Sequence, residues 1–429
     1  MSFLDEIKWR GLLHQATAFE ELRAHLQTPN RLAYAGFDPT ADSLTVGHLV
    51  PIMLLRHFQQ AGHKPVVLVG GGTGLIGDPS GKDSERSLLT RERVQENVAG
   101  QRKVLARFLD FSETRANGAL LVNNADWLDK LGYLEVLRTI GKHFSVNAMI
   151  QRDSVRTRLE SREQGISYTE FSYMLLQAYD YLHLHRTLGV TVQMAGSDQF
   201  GNIASGVDLI RREAHGAGHE AYGLTAPLLL RADGKKFGKS EKGAVWLSAD
   251  RTSPYAFYQF WINVDDADVG SYLKLFTLLT EDAIASLLAS HEREPHKREA
   301  QRTLARTLTA LVHGDDELRT AELAAEALFQ GDVRALSEKL LDEVLSDVPS
   351  SEHPKAELEG EGAALLDLLP STTLVTSKRE ARQFLESGAV LVNGAKATLS
   401  QRLTSNDLLH GKTIVLKRGK KNWHLTRWV

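Results

Sequence analysis

Residues 64–71 read KPVVLVGG, an apolar run of strand length that closes on paired glycines. Apolar side chains on consecutive positions, and not only on alternate ones, mark a strand covered on both faces, as in a parallel sheet. Two neighbours extend the pattern. RLAYAGFD (31–38) reads as a short strand, then a loop, then a helix from about Gly47 to Ala61 that stops at Gly62. VTVQMAGSDQFGN (190–202) is again a strand followed by a loop and a helix. Helical patterns fill 84–115, 129–161 and about 169–182. Strands alternating with helices predict an α/β fold with an open parallel sheet and ligands at the carboxyl ends of its strands. Residues 250–330 read as almost wholly helical, and the tail mixes one basic helix with short strands. No internal repeat or low-complexity segment interrupts the chain.

The 429 residues suffice for two or three domains. Hydrophobic residues at 42% and charged residues at 24% are ordinary for a soluble globular protein. No apolar run approaches the ~18 residues of a membrane span. The start, MSFLDEIKWRG, carries acids early and lacks an apolar signal core, so a cytoplasmic location is expected. Cysteine is absent, which removes disulfides and thiolate metal sites. His183 and His185 alternate in LHLHR without carboxylate partners, and H-E-x-x-H does not occur, so no metal site is expected. The net charge of −3 conceals an asymmetry. Residues 371–429 hold 11 basic and 3 acidic residues, while 332–370 hold 3 basic and 10 acidic. A compact basic end behind an acidic stretch containing SDVPSSEHP suggests a separate module that meets a polyanion.

Four stretches carry candidate chemistry. In GGGTGLIGDPSGK (70–82), Gly72, Gly74 and Gly77 fit the dinucleotide fingerprint, but Pro79 breaks the helix that should follow. A Walker loop fails as well, with Ile76 at its first glycine and Asp83 after Lys82. What remains is a backbone that comes close to something, with Asp78 beside it. In YTEFSYMLLQAYDYL (168–182), Tyr173, Gln177 and Asp180 are spaced four and three apart, on one helix face. A solvated polar stripe would look the same. GSDQFGN places Asp198 and Gln199 after a strand, where a carboxylate can accept from ribose hydroxyls, or where a plain surface turn lies. In ADGKKFGKSEKG (232–243), Lys236 and Lys239 flank Phe237-Gly238 ahead of Ser240: a charge clamp for polyphosphate, or a solvated loop.

Taken in order, these segments resemble bacterial tyrosyl-tRNA synthetases, class I aminoacyl-tRNA synthetases, over essentially the whole chain. TVGH (45–48) stands where the family has H-I-G-H, and KFGKS (236–240) where it has K-M-S-K-S. YMLLQAYD resembles the tyrosine-recognition helix; AYAGFDPTADSL, GLIGDPSGK and GSDQFGN resemble other pocket segments. TSKREARQFLESGAVLVNG (376–394) resembles the small RNA-binding domain of the ribosomal S-four type. The resemblance implies a Rossmann-like catalytic domain over 1–248 that includes the KFGKS loop, and a helical anticodon-side domain over 249–330. An acidic linker over 331–365 and an S-four-type α+β domain over 366–429 would follow.

The implied reaction joins L-tyrosine to Mg-ATP, releasing pyrophosphate, and passes the tyrosyl group to the 3′ end of tRNA(Tyr). ATP is a substrate that carries its own Mg²⁺, no tightly bound cofactor is implied, and the family is homodimeric. By resemblance, Tyr34 and Asp180 meet the phenolic hydroxyl, Asp78, Tyr173 and Gln177 hold the ammonium, and Gln193 lines the pocket. Gly36, Asp38, Gly47, Gly196, Asp198 and Ser240 serve the nucleotide. His48, Thr40, Thr45, Lys236 and Lys239, helped by Lys82 and Arg86, stabilise the leaving pyrophosphate. Lys378, Arg379, Arg382, Lys417, Arg418, Lys420 and Lys421 would meet tRNA. The chain departs from the family pattern at Thr45, at Ala35 where cysteine is common, and at Phe200 where tryptophan is usual. Two rival readings stand beside this one: a catalytically silent RNA-binding paralogue, and a small-metabolite adenylyltransferase of the H-x-G-H type. A tryptophan-specific relative is disfavoured by the pair Tyr34 and Asp180.

Overall fold

Six strands form the central sheet: β1 (Gln15–Ala16), β2 (Leu32–Phe37), β3 (Lys64–Val69), β4 (Leu120–Asn123), β5 (Val190–Gly196) and β6 (Tyr222–Ala226). The computed structural model describes the chain except Met1 and residues 79–88, 153–154, 157–158, 161–165, 215–219, 233, 235–236, 241–242 and 420–421. At Lys239 and Ser240 it describes the backbone alone. The chain forms two compact units, Met1–Gly314 and Asp315–Val429.

In the first unit the strand order is β1-β6-β5-β2-β3-β4, parallel throughout except for the short antiparallel β1. The stretch KPVVLVGG supplies β3, buried from Pro65 to Val69 between its parallel neighbours β2 and β4. From β2 the chain winds outward through β3 to β4, then returns to place β5 on the other side of β2. Such a reversal opens a crevice at the carboxyl ends of the flanking strands. The helix Leu49–Gln60 packs on β2, β3 and β5, and Leu49, Ile52, Met53, Leu55 and Phe58 are among its buried residues. The helix Tyr168–Leu188 is capped by Ser167, whose hydroxyl accepts from the Glu170 amide at 3.2 Å, and stops at Gly189 in the left-handed region. Tyr181, Leu182 and Leu184 from this helix join Tyr34, Val66, Leu68, Leu209 and Ile210 in one core.

Among the described residues, the helical periodicity over 129–161 gives no long helix. The described part is broken into Tyr133–Glu135, a π-helical turn Val136–Ile140, Gly141–His143 and Val146–Ile150, with Gly132, Gly141 and Ser145 at the junctions. Within 84–115 the described helix is Arg91–Leu105, capped by Thr90. The helices between Pro254 and His313 belong to the first unit, so no compact boundary falls at 248. Arg10, buried in the first helix, donates to the carbonyls of Lys274, Thr277 and Leu279 at 2.8–2.9 Å and ties both ends of the unit together.

The second unit begins with the helix Asp315–Gln330, and the stretch 331–365 is folded rather than a linker. It holds the helix Glu338–Val344 and the strand Ser350–His353, which pairs in parallel with Asn422–Trp428. Its acidic composition misled because Glu338 and Asp342 stay at the surface while Val333, Leu336, Leu341, Leu345 and Leu358 are buried. The strand completes a five-stranded sheet with Ala395–Lys396, Val390–Val392 and Thr413–Arg418. The basic helix Lys378–Glu386 buries Ala381 and Leu385 in the same core as Val390, Ile414, Leu416 and Trp428.

Candidate active site

The crevice at the strand ends gathers side chains from β2, β3, β4 and β5. At its deep end Asp180 is buried, and two donors hold its carboxylate. Asn124 Nδ2 donates to Oδ2 at 2.9 Å, and the indole Nε1 of Trp127 donates to Oδ1 at 2.8 Å. Burial, with a smaller contribution from the Asp38 charge, pushes this carboxyl up to about 7 against those two hydrogen bonds. The hydroxyl of Tyr34 on β2 is buried and unpartnered among the described residues, as is Gln193 Oε1 on β5. Burial raises the Tyr34 phenol well above its ordinary range, and the Asp180 charge adds to this. Buried polar atoms are nearly always hydrogen-bonded, so these two orphans on adjacent strands are open to a polar partner.

One turn and then another along the same helix face stand Gln177 and Tyr173, which places the three predicted residues together. The Tyr173 hydroxyl donates to Asp38 Oδ2 at 2.9 Å. Gln199 Nε2 donates to Asp78 Oδ2 at 2.8 Å, and Asn202 Nδ2 bridges Gln177 Oε1 at 2.9 Å and Gln199 Oε1 at 3.1 Å. The stretch GSDQFGN therefore orders the groups on the helix as well as presenting Asp198, which is exposed at the end of β5. The glycine loop does approach something closely. A Cβ on Gly70 would lie 2.2 Å from Asp38 Oδ1, and one on Gly71 would lie 2.2 Å from Asn123 Oδ1. Asn124, Trp127 and Thr73 were missed by sequence reasoning; only the strand order brings them here.

At the helix mouth Thr45 contacts His48. Its backbone N–H donates to His48 Nδ1 at 3.1 Å, and its Oγ1 lies 3.0 Å from the same nitrogen. A backbone N–H can only donate, so Nδ1 is an acceptor and the neutral ring carries its proton on Nε2. Gly36 and Gly47 are exposed beside the pocket, as is Thr40, whose N–H donates to Asp38 O at 2.9 Å.

TVGH and KFGKS meet. The Val46 N–H donates to Val245 O at 3.0 Å, that of Leu247 to Leu44 O at 2.8 Å, and that of Val245 to Gly238 O at 3.0 Å. Gly238 adopts φ +83°, and a Cβ there would come within 2.9 Å of Val46 Cγ2. Phe237 stacks on Phe276 at 5.4 Å and lies 5.0 Å from Tyr272. Lys239 and Ser240 form a short antiparallel strand with Gly243–Ala244. Lys82, Arg86 and Lys236 lie outside the described residues.

In the second unit, Lys378, Arg379 and Arg382 are exposed on one helix, with Lys378 paired to Asp367 at 2.6 Å. Lys417 needs correction. It is buried, donates to Leu328 O at 3.2 Å and lies 4.3 Å over the Trp423 ring, so it braces the unit and does not face solvent. Arg418 pairs with Glu380 at 3.2 Å and covers the Phe384 ring. Lys420 and Lys421 lie outside the described residues.

Comparison with known proteins gives a consistent result. Residues 27–330 match the model of the class I tRNA synthetases (W and Y), and 341–426 match the tyrosine--tRNA ligase SYY-like C-terminal domain. The tyrosine--tRNA ligases of Roseiflexus castenholzii and Geobacillus stearothermophilus are each 49% identical over the full length of both chains. The chain belongs to the tyrosine--tRNA ligase family. A C-terminally truncated mitochondrial tyrosyl-tRNA synthetase of Coccidioides posadasii is 34% identical with a TM-score of 0.65, covering 75% of this chain and 91% of its own. The tyrosyl-tRNA synthetase of Archaeoglobus fulgidus, 18% identical, shares the fold with a TM-score of 0.55, covering 75% of this chain and 99% of its own. Class I tyrosine--tRNA ligases thus supply the fold. Among the described residues, no helix is long and apolar enough to cross a membrane.

Proposed function

We propose that this chain activates L-tyrosine with Mg-ATP in the sheet crevice and charges tRNA(Tyr) with the product. The observation that carries the reading is Asp180, buried and held by Asn124 and Trp127 near the orphan hydroxyl of Tyr34. A pocket built to bond a phenolic hydroxyl leaves buried polar groups unpaired when phenylalanine enters, a principle for which tyrosyl-tRNA synthetase is itself the usual example. Tyr173, Gln177 and Asp78 receive the ammonium, with Gln193 on the pocket wall. The tyrosine carboxylate then attacks the α-phosphorus of ATP, the bond to the bridging oxygen breaks, and pyrophosphate leaves.

No protein nucleophile is required, so positioning and charge stabilisation supply the rate. His48, in the 3-10 turn Val46–His48, joins Thr40, Lys236 and Lys239 in stabilising the phosphates, helped by Lys82 and Arg86. Gly36, Gly47 and Gly196 let the nucleotide approach the backbone, and Asp38, Asp198 and Ser240 bond it. Thr45 acts through His48. A terminal ribose hydroxyl of tRNA finally attacks the adenylate carbonyl and AMP departs. The second unit, of the S-four type, receives tRNA through Lys378, Arg379 and Arg382, with Lys420 and Lys421 adding charge. The exposed apolar side chains Tyr133, Leu134, Leu137, Val146, Ile150 and Tyr168 support a homodimer, and the enzyme works in the cytoplasm.

Amino-acid-dependent pyrophosphate exchange with each of the twenty amino acids, run with and without tRNA, tests this reading. Exchange with tyrosine alone, independent of tRNA, followed by tyrosylation of tRNA(Tyr), is expected. No exchange with any amino acid would leave the silent RNA-binding paralogue. Exchange without charging of tRNA would favour an adenylyltransferase for a small metabolite.

A further inference from the structure

We propose that Thr73 is a positioning residue that sets both ends of the amino-acid pocket, so that recognition of the substrate hydroxyl and of its ammonium group are coupled. The proposal rests on the functional reading above and deepens it. Thr73 is buried in the short turn Thr73–Leu75 that follows β3. Its Oγ1 lies 2.9 Å from Asn124 Nδ2 and 2.8 Å from Asp38 Oδ1. The directions of these bonds are forced. Asn124 Oδ1 accepts from the Gly72 N–H at 2.8 Å, which fixes the amide so that Nδ2 faces Thr73 and Asp180. An amide nitrogen only donates, so the threonine oxygen accepts there and gives its single proton to Asp38.

The result is one unbroken chain. Tyr173 donates to Asp38, Thr73 donates to Asp38, Asn124 donates to Thr73, and Asn124 donates to Asp180. Both ends of that chain stand on the same helix, at Tyr173 beside the ammonium site and at Asp180 beside the hydroxyl site. Gly70 makes room for it, since a Cβ there would fall 2.4 Å from Thr73 Oγ1. In a buried network of this kind each bond orients the next, and loss of the hub releases both neighbours. Thr73 touches neither reacting atom in this account; it acts through Asp38 and Asn124.

The test uses the full-length protein carrying Thr73→Val, which keeps the shape and removes the hydroxyl, and Thr73→Ser, which keeps the hydroxyl. Pyrophosphate exchange gives the preference for tyrosine over phenylalanine, which lacks the hydroxyl. Competitive inhibition by 3-(4-hydroxyphenyl)propanoate, which lacks the ammonium, gives the worth of that group. In Thr73→Val both preferences should fall by about fivefold or more, the loss of roughly one hydrogen bond at each end. Thr73→Ser should hold both within about twofold of the parent. A Thr73→Val protein with a lowered melting temperature and both preferences intact would reduce Thr73 to a packing residue. A fall in one preference alone would show that the two ends are independent. Thr73→Ala provides the same comparison if the valine variant does not fold. A parent enzyme with no preference for tyrosine would overturn the functional reading instead.

Discussion

Trp127 donates its indole N–H to Asp180 Oδ1 at 2.8 Å, while burial holds the same carboxyl at about 7. The indole and the Asn124 amide stabilise the ionised form, and desolvation opposes it more strongly. A carboxyl poised there titrates across the range where enzymes are assayed. Only the ionised form offers both oxygens as acceptors to a substrate hydroxyl once the two donors are satisfied. For tyrosine, kcat/KM should therefore rise with pH through about 7, because kcat/KM reports ionisation of the free enzyme. Activation of phenylalanine, measured over the same buffers, should lack that rise. A flat tyrosine profile between pH 6 and 8 would separate Asp180 from hydroxyl recognition.

The same shift has a consequence for stability with a definite sign. In the unfolded chain Asp180 releases its proton near 3.8, and in the folded chain near 7, so between these values the folded state binds more protons. Stability then declines as pH rises through about 7, since ionising the buried carboxyl disfavours the folded state. Asp180→Asn cannot ionise. The melting temperature of that variant relative to the parent should be higher at pH 8 than at pH 5. Calorimetry at the two pH values checks the ordering, and an unchanged difference would mean that Asp180 does not carry the shift.

Thr45 departs from the family pattern yet still holds His48. Thr45→Ala removes the Oγ1 contact and leaves the backbone bond to Nδ1 in place. Adenylate formation should slow by about fivefold, the equivalent of ~1 kcal/mol for one neutral hydrogen bond, with tyrosine affinity unchanged. Single-turnover stopped-flow measurements separate the two. A weakened tyrosine affinity with an unchanged chemical step would place Thr45 elsewhere in the mechanism.

Much of this architecture is written locally. KPVVLVGG, RLAYAGFD and VTVQMAG each state a buried parallel strand, and the four-three spacing of Tyr173, Gln177 and Asp180 states one helix face. What could not be read is what strand order decides. Asn124 and Trp127 follow β4, at the edge of the sheet, and nothing in NNADWL announces a carboxylate more than fifty residues away. Asp38 and Tyr173 are likewise joined across 135 residues. Composition misled in two places. Acidic residues on the surface of 331–365 masked an apolar face, and a basic cluster at 417–421 included Lys417, whose ammonium is turned inward to a carbonyl and an indole.

Removal of the second unit provides a separate test. Every described pocket group lies before Gly314, so truncation after that residue should keep tyrosine-dependent pyrophosphate exchange near the full-length rate. Tyrosylation of tRNA should fall by orders of magnitude. The salt dependence of residual tRNA binding should flatten as fewer phosphate counterions are released. A folded truncated protein that charges tRNA at the full-length rate would remove the basic helix from the tRNA interface.

The most direct measurement is tyrosine activation by Asp180→Asn in the full-length protein. The substitution takes a charged acceptor from the buried end of the pocket, which costs ~1.5–3 kcal/mol and lowers kcat/KM for tyrosine by about 10- to 150-fold. Circular dichroism should show the fold intact, and phenylalanine activation should barely change. A folded Asp180→Asn protein that activates tyrosine at the parent rate would contradict the assignment of Asp180 as the group that reads the substrate hydroxyl.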